Sequence, residues 1–181
     1  MITDHNSIRG ALEARTLDPD LVIVGEEIMT TRGEILAAFL KEEIPSNLTP
    51  RQALLLLKEQ GAFISVSHPF DTLRKGGWEE ADLLEILPEV DAVEVHNSRC
   101  LLPEFNQRAL DFATRYSIPG TVGSDAHTLW ELGRSVLDLE SFSGPDELRK
   151  CIRSAIPRVK RSPWWVVFAT RYASLRKTLK S

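Results

Sequence analysis

Residues 49–69 read TPRQALLLLKEQGAFISVSHP, and this stretch decides the fold class. Thr49 is placed to cap a helix whose first residue is Pro50, and Gln52 can reach back to the cap, the reciprocal pattern of a capping box. ALLLLKEQ continues the helix to Gly61, a residue that ends helices because it takes the left-handed conformation without penalty. AFISVS (62–67) follows at once as an apolar, β-prone run, the pattern of a strand buried on both faces, and it stops at His68 and Pro69. A helix that feeds a buried strand is the unit of a parallel β/α protein.

The same rhythm recurs on both sides. LVIVG (21–25) reads as a buried strand and EILAAFL (34–40) as another. WEEADLLEILPEV (78–90) is mostly helical, DAVEVH (91–96) a strand, 103–116 a helix, and IPGTVG (118–123) a strand that runs into Ser124-Asp125-Ala126-His127. Residues 136–139 read as a last short strand before a helix that begins near Pro145. The expected class is α/β, a parallel barrel or partial barrel without internal repeat or linker.

The chain has 181 residues, 43% hydrophobic and 27% charged, which suits one folded core rather than a disordered segment. No apolar run approaches the roughly 20 residues of a membrane helix. The opening MITDHNSIRG lacks the basic leader and apolar stretch of a signal peptide. Cys100 and Cys151 lie far apart and read as reduced thiols of a cytoplasmic protein. The net charge of −4 is uneven: eight of the 22 Lys/Arg and none of the 26 Asp/Glu follow Lys150. An acidic body repels nucleic acid unless bound metal neutralises it. Beyond Pro157, Trp165, Phe168, Tyr172, Leu175 and Leu179 share one helical face opposite a basic one. The expected organisation is therefore a body over 1–157 and a basic amphipathic helix over 158–181. That helix either docks on the body or offers a surface to a membrane or an acidic partner.

The chemistry gathers at strand ends. His5 lies in TDHN, Glu26 and Glu27 follow LVIVG, His68 follows AFISVS, His96 ends DAVEVH, and Asp125 and His127 follow IPGTVGS. In parallel barrels such positions meet around one mouth. A single histidine there is ordinarily a hydrogen-bonded or exposed residue, but imidazoles and carboxylates at five or six strand ends form a ligand set for Zn²⁺, Mn²⁺ or Fe²⁺. There is no GxSxG, no GxxxxGK[ST] and no GxGxxG, so serine hydrolase, P-loop and Rossmann readings have no support.

TDHN (3–6), GEE (25–27), SHPF (67–70), EVHNSR (94–99) and GSDAH (123–127) resemble, in order and spacing, the polymerase-and-histidinol-phosphatase (PHP) superfamily over roughly residues 1–155. The resemblance implies a distorted (β/α)7 TIM-like barrel with two or three divalent metals (Mn, Zn, Fe or Mg) at its mouth. It implies His5, Glu27, His68, Asp125 and His127 as metal ligands, Glu27 bridging, with Glu34 either a further ligand or an ordinary exposed residue. His96, Asn97 and Arg99 would face a phosphorylated substrate, with a structural role open for His96 and a solvated surface role open for Arg99. Asp4 would orient a ligand. Family members begin with His-x-His, and nothing of that kind precedes TDHN. The expected barrel is therefore N-terminally truncated by about one and a half β/α units, with an open edge that invites homo-oligomers.

The implied activity is a metal-dependent phosphoesterase that hydrolyses a small phosphomonoester or a nucleotide with a metal-activated water. The alternative is a catalytically inactive PHP module stabilised by metal. Hydrolysis of a C–N bond ranks below both, because no Lys stands at a strand end to act as the bridging ligand.

Overall fold

The computed structural model describes residues 1–166. Its organising element is the helix expected after Thr49, here α2 (Pro50–Glu59). Thr49 Oγ1 accepts from the Gln52 N–H at 3.4 Å while Gln52 Oε1 accepts from the Thr49 N–H at 3.0 Å, and Gly61, at φ 71°, turns the chain out of the helix. Ala53, Leu54 and Leu57 are buried on one side of α2, and Leu55 remains exposed.

Six strands form one curled sheet, a half-barrel, in chain order. They are β1 (Ile2–His5), β2 (Val24–Met29), β3 (Glu34–Ala38), β4 (Phe63–Val66), β5 (Ala92–Asn97) and β6 (Gly120–Gly123). Besides α2 between β3 and β4, α1 (Arg9–Leu17) links β1 to β2, α3 (Glu80–Ile86) precedes β5, and α4 (Pro103–Arg115) joins β5 to β6. The main core packs Ile28, Ile35, Leu57, Ile64, Val66, Leu83 and Phe112 together.

The expectation of uniformly parallel strands needs correction at β3. It runs antiparallel to both β2 and β4, whereas β1–β2, β4–β5 and β5–β6 are parallel. The cause is the connection. Residues 30–33 form a tight turn in which the Thr30 N–H donates to the Gly33 carbonyl at 3.0 Å, and so short a link can only reverse direction. The reversal brings the beginning of β3 to the edge where the parallel strands end. Boundaries shift as well. Leu21 is exposed in a turn closed by Asp18, so β2 starts at Val24 and carries Glu26 and Glu27 within it rather than beyond its end.

The strand expected at 136–139 does not extend the main sheet. It is β7 (Val136–Asp138) and pairs antiparallel with β8 (Ile156–Arg158), with α5 (Pro145–Cys151) between them. Leu148 and Ile152 pack this unit on Ala38, Phe63 and Ala92. The Ser162 N–H donates to the Ser98 carbonyl at 2.7 Å, which ties the segment after β8 to the body. The amphipathic helix expected over 158–181 falls, from residue 167 on, outside the described residues.

The burial of α2 gives a direct check on this packing. Leu57→Ala should lower the free energy of unfolding by about 2–5 kcal/mol, whereas Leu55→Ala on the exposed face should change it by less than about 0.5 kcal/mol. Urea denaturation of both variants measures the difference.

Candidate metal centre

Register explains why the ligand-type residues converge. His5 and Glu27 are direct partners in the parallel β1–β2 pair. Neighbouring residues of a strand point to opposite faces, and this alternation separates Glu27 from Glu26. Glu27 turns toward the histidines, and Glu26, 0% exposed, accepts from the Ile44 N–H at 2.9 Å on the other side. Burial pushes the Glu26 carboxyl up to about 7. The turn after β1 is held by Asn6 in the left-handed conformation at φ 51°, its Oδ1 accepting from the Met29 N–H at 2.9 Å.

Glu27 and Glu34 each touch two imidazoles. His5 Nδ1 lies 3.3 Å from Glu27 Oε2 and 3.4 Å from Glu34 Oε1. His68 Nε2 lies 3.3 Å from Glu27 Oε1 and 3.2 Å from Glu34 Oε2. Ser67 donates its hydroxyl to Glu27 Oε1 at 2.6 Å. Both carboxylates and His68 are buried, while His5 stands half in solvent and opens the cluster outward. Trp78 Nε1–H donates to the Glu34 carbonyl at 3.0 Å and fixes the start of β3. A side chain at Gly76 would collide with the Glu34 carboxylate, so the loop after β4 closes over that residue only as glycine.

Charge follows from this geometry. The hydrogen bond to Glu34 is the main cause that lifts His5 to about 9; burial opposes it and the charge of Glu27 adds to it. Burial pulls His68 down, but the contacts with Glu27 and Glu34 overcome it and raise the ring to about 10. Burial likewise pushes Glu34 up, and His5 and His68 reverse this, holding it at about 2.

Asp125 and His127 leave β6 beside this group. Asp125 takes φ 47°, which turns its side chain across the mouth, and the ring of His127 stands 6.1 Å from that of His5. His127 Nδ1 lies 3.4 Å from Asp125 Oδ1. Arg74 Nη1 reaches Asp125 Oδ2 at 2.6 Å while its Nε holds Asp71 at 3.1 Å. Burial raises Asp125, but the Arg74 guanidinium, with His127 and His68, keeps its carboxyl below the usual range. Glu94 is buried among these groups and accepts from the His68 N–H at 2.8 Å. Burial pushes it up to about 7.

The donor set fits a divalent ion. His5, Glu27 and Glu34 carry ligand atoms all within 4.8 Å of one another. Both ring nitrogens of His68 are buried without a hydrogen-bond partner among the described residues, Nε2 directed at two carboxylates in ion-pair range but not in hydrogen-bond alignment. Imidazole nitrogen with carboxylate oxygen suits Mn²⁺, Zn²⁺ or Fe²⁺. Thus the structure brings His5, Glu27, Glu34 and His68 into one cluster, with Asp125 and His127 against it. The other candidates lie apart. His96 meets Asn106 of α4 at 3.3 Å, and burial together with Arg161 lowers its pKa. Asn97 and Arg99 are buried, and Arg99 Nε lies 3.2 Å from Glu131 Oε1, so Arg99 is not a solvated surface residue. The Asp4 carboxylate lies against Gly10 at the start of α1 and makes no hydrogen bond to a candidate ligand among the described residues. Sequence reasoning missed Arg74, Glu94 and Glu131. Glu94 stood inside the EVHNSR motif and gave a signal; Arg74 and Glu131 gave none.

Residues 103–155 match the PHP-associated (PHP_C) family model. The chain is 40% identical over 152 residues to the uncharacterized protein MJ0417 of Methanocaldococcus jannaschii, covering 81% of this chain and 61% of that protein. It is 42% identical over 101 residues to MJ1587 of the same organism, covering 54% of this chain and 56% of that one. It thus spans about three fifths of the length of these relatives. Its fold resembles a two-domain protein from Bacteroides vulgatus containing a predicted PHP-like metal-dependent phosphoesterase, with a TM-score of 0.50, 22% identity, and coverage of 66% of this chain and 40% of that one. It also resembles PsfC from Pseudomonas syringae, with a TM-score of 0.59, 17% identity, and coverage of 86% and 65%. The match over 103–155 and the PHP-like fold support membership of the PHP superfamily. Among the described residues, no helix is long and apolar enough to cross a membrane.

The raised histidines set a pH dependence. They bind protons more tightly folded than unfolded, so their stabilisation is complete below 6.5 and is lost as pH rises toward about 9 and about 10. Metal-free protein should therefore lose thermal stability across that window, with His68→Asn flattening the slope. Mn²⁺ binding should move the other way and tighten with pH, because the ion must displace those protons. Thermal melts and calorimetric titrations at several pH values test both signs.

Proposed function

We propose that this chain is the metal-binding part of a phosphoesterase that hydrolyses a small phosphomonoester or a nucleotide. The observation that carries the reading is the pair of buried carboxylates, Glu27 and Glu34, each shared between His5 and His68. His5, Glu27, Glu34 and His68 would hold one divalent ion, and Asp125 with His127 would serve a neighbouring position that shares His5. Such ions supply charge neutralisation for phosphoryl oxygens and acidity for a bound water.

The chain's own groups have separate tasks. Glu27 spans both imidazoles and fixes their separation, while the Ser67 hydroxyl holds one of its oxygens in place. Half-exposed His5 marks the side from which substrate approaches. Arg74 supplies positive charge at the mouth, anchored by Asp71 and able to face a phosphate oxygen when Asp125 is otherwise engaged. The buried positions of Asn97 and Arg99 favour support of the mouth over direct substrate contact, and His96 belongs with α4. β1 has no strand beyond it among the described residues, the feature on which homo-oligomerisation would rest.

Metal content and turnover of an aryl phosphate with Mn²⁺ test the proposal together. His68→Ala should remove bound Mn²⁺ and abolish turnover, whereas His96→Ala should leave metal content within about twofold; the reverse order would refute the ligand assignment. A chelator should lower the melting temperature, since an ion held only by the folded state stabilises it. Bound Mn²⁺ without turnover of any phosphate ester would favour the metal-stabilised binding module.

A further inference from the structure

The loop after β6 inverts the usual rule of burial. Along residues 129–132, Leu129 is 85% exposed, Trp130 80% and Leu132 64%, while Glu131 between them is 0% exposed. A loop that turns its apolar side chains to water and inserts a carboxylate is anchored by that carboxylate. Burying a charge is costly unless it is well paired, so its partners show what it secures. Glu131 Oε2 accepts from the His127 N–H at 3.1 Å and from the Thr128 hydroxyl at 2.9 Å. Its Oε1 faces Arg99 Nε at 3.2 Å.

From Arg99 the contacts continue to the other histidine. The Arg99 N–H donates to Asn97 Oδ1 at 2.9 Å, and Asn97 Nδ2 donates to Glu94 Oε2 at 3.2 Å. The same Glu94 oxygen accepts from the His68 N–H at 2.8 Å. Residues three apart on a regular strand face opposite sides, so Glu94 and Asn97 should not meet. They do because β5 carries a bulge: its pairing with β6 slips between Glu94 and His96, which resets the parity and puts both side chains on the same face. Gly123 completes the arrangement, since any side chain there would occupy the place of the Glu94 carboxylate.

We infer that Glu131, Arg99, Asn97 and Glu94 form a buried positioning relay. Its two ends grip the backbone of His127 and His68, and it sets the distance between two loops that the intervening strand keeps apart. The inference rests on the metal-centre reading of His68 and His127 and deepens it. Glu131 and Glu94 are positioning residues that act through the histidines. The bulge in β5 exists, in this account, to let the relay cross the strand. Residues that orient metal ligands typically govern affinity by about 10–100-fold, and that is the effect to look for.

The test is a double-mutant cycle read as Mn²⁺ affinity of the folded, metal-stripped protein, at the binding step that His127→Ala weakens. Glu131→Ala should weaken that step about tenfold. Glu131→Gln keeps an oxygen for the His127 N–H and should recover part of the loss. In a His127→Ala background, Glu131→Ala should alter Mn²⁺ affinity by less than about twofold, because coupled residues do not add. If Glu131→Ala fails to fold, Glu131→Gln serves in the same cycle. Equal losses in both backgrounds, or no loss in either, would overturn the relay. A weakened His127→Ala without coupling sinks the relay alone, whereas His127→Ala with unchanged Mn²⁺ binding sinks the metal-centre reading and the relay with it.

Discussion

Two carboxylates held together away from water repel each other unless positive charge stands between them. Glu27 and Glu34 satisfy this condition by giving one oxygen each to His5 and one each to His68. Four elements must therefore come together at fixed spacing: the ends of β1 and β4, the body of β2 and the beginning of β3. Much of the remaining architecture can be understood as keeping that spacing. Asn6 ties the exit of β1 to β2, Ser67 ties the exit of β4 to Glu27, and Trp78 ties the start of β3 to the loop after β4.

The reversal of β3 is what admits Glu34 to the group. In an all-parallel sheet, a residue that begins a strand lies at the opposite edge from those that end one. The tight turn at 30–33 inverts β3, so its first residue reaches the edge where the other strands finish. The same local economy appears in the glycines, where Gly76 and Gly123 leave room for the carboxylates of Glu34 and Glu94.

Around the four-residue cluster lies a wider ring of polar groups, the half-buried Arg74 and Asp125 with the buried Asp71, Glu94, Asn97, Arg99 and Glu131. Such groups are expensive to bury singly and become tolerable only in company, each satisfying another. They lie within or after β4, β5 and β6, while Ile28, Ile64 and Leu83 pack together in the main core.

The sequence by itself determined the helices from α2 onward, the approximate strands and the residue types at the mouth, while α1 carried no signal that was read. Capping chemistry at Thr49, proline at the first turn of α2 and α4, and apolar runs such as AFISVS are local signals, written in residues close along the chain. His5, Glu27, His68, Asp125 and His127 were legible as candidates because ligand-type side chains recur at or near strand ends in an order and spacing that resembles the PHP superfamily. Only the tertiary structure decided the direction of β3, the separation of β7 from the main sheet, the burial of Glu34 beside Glu27, and the burial of Asn97 and Arg99. Strand direction depends on turn length and distant pairing. Which side chains meet depends on register, and the β5 bulge resets it at a point that no local pattern marks.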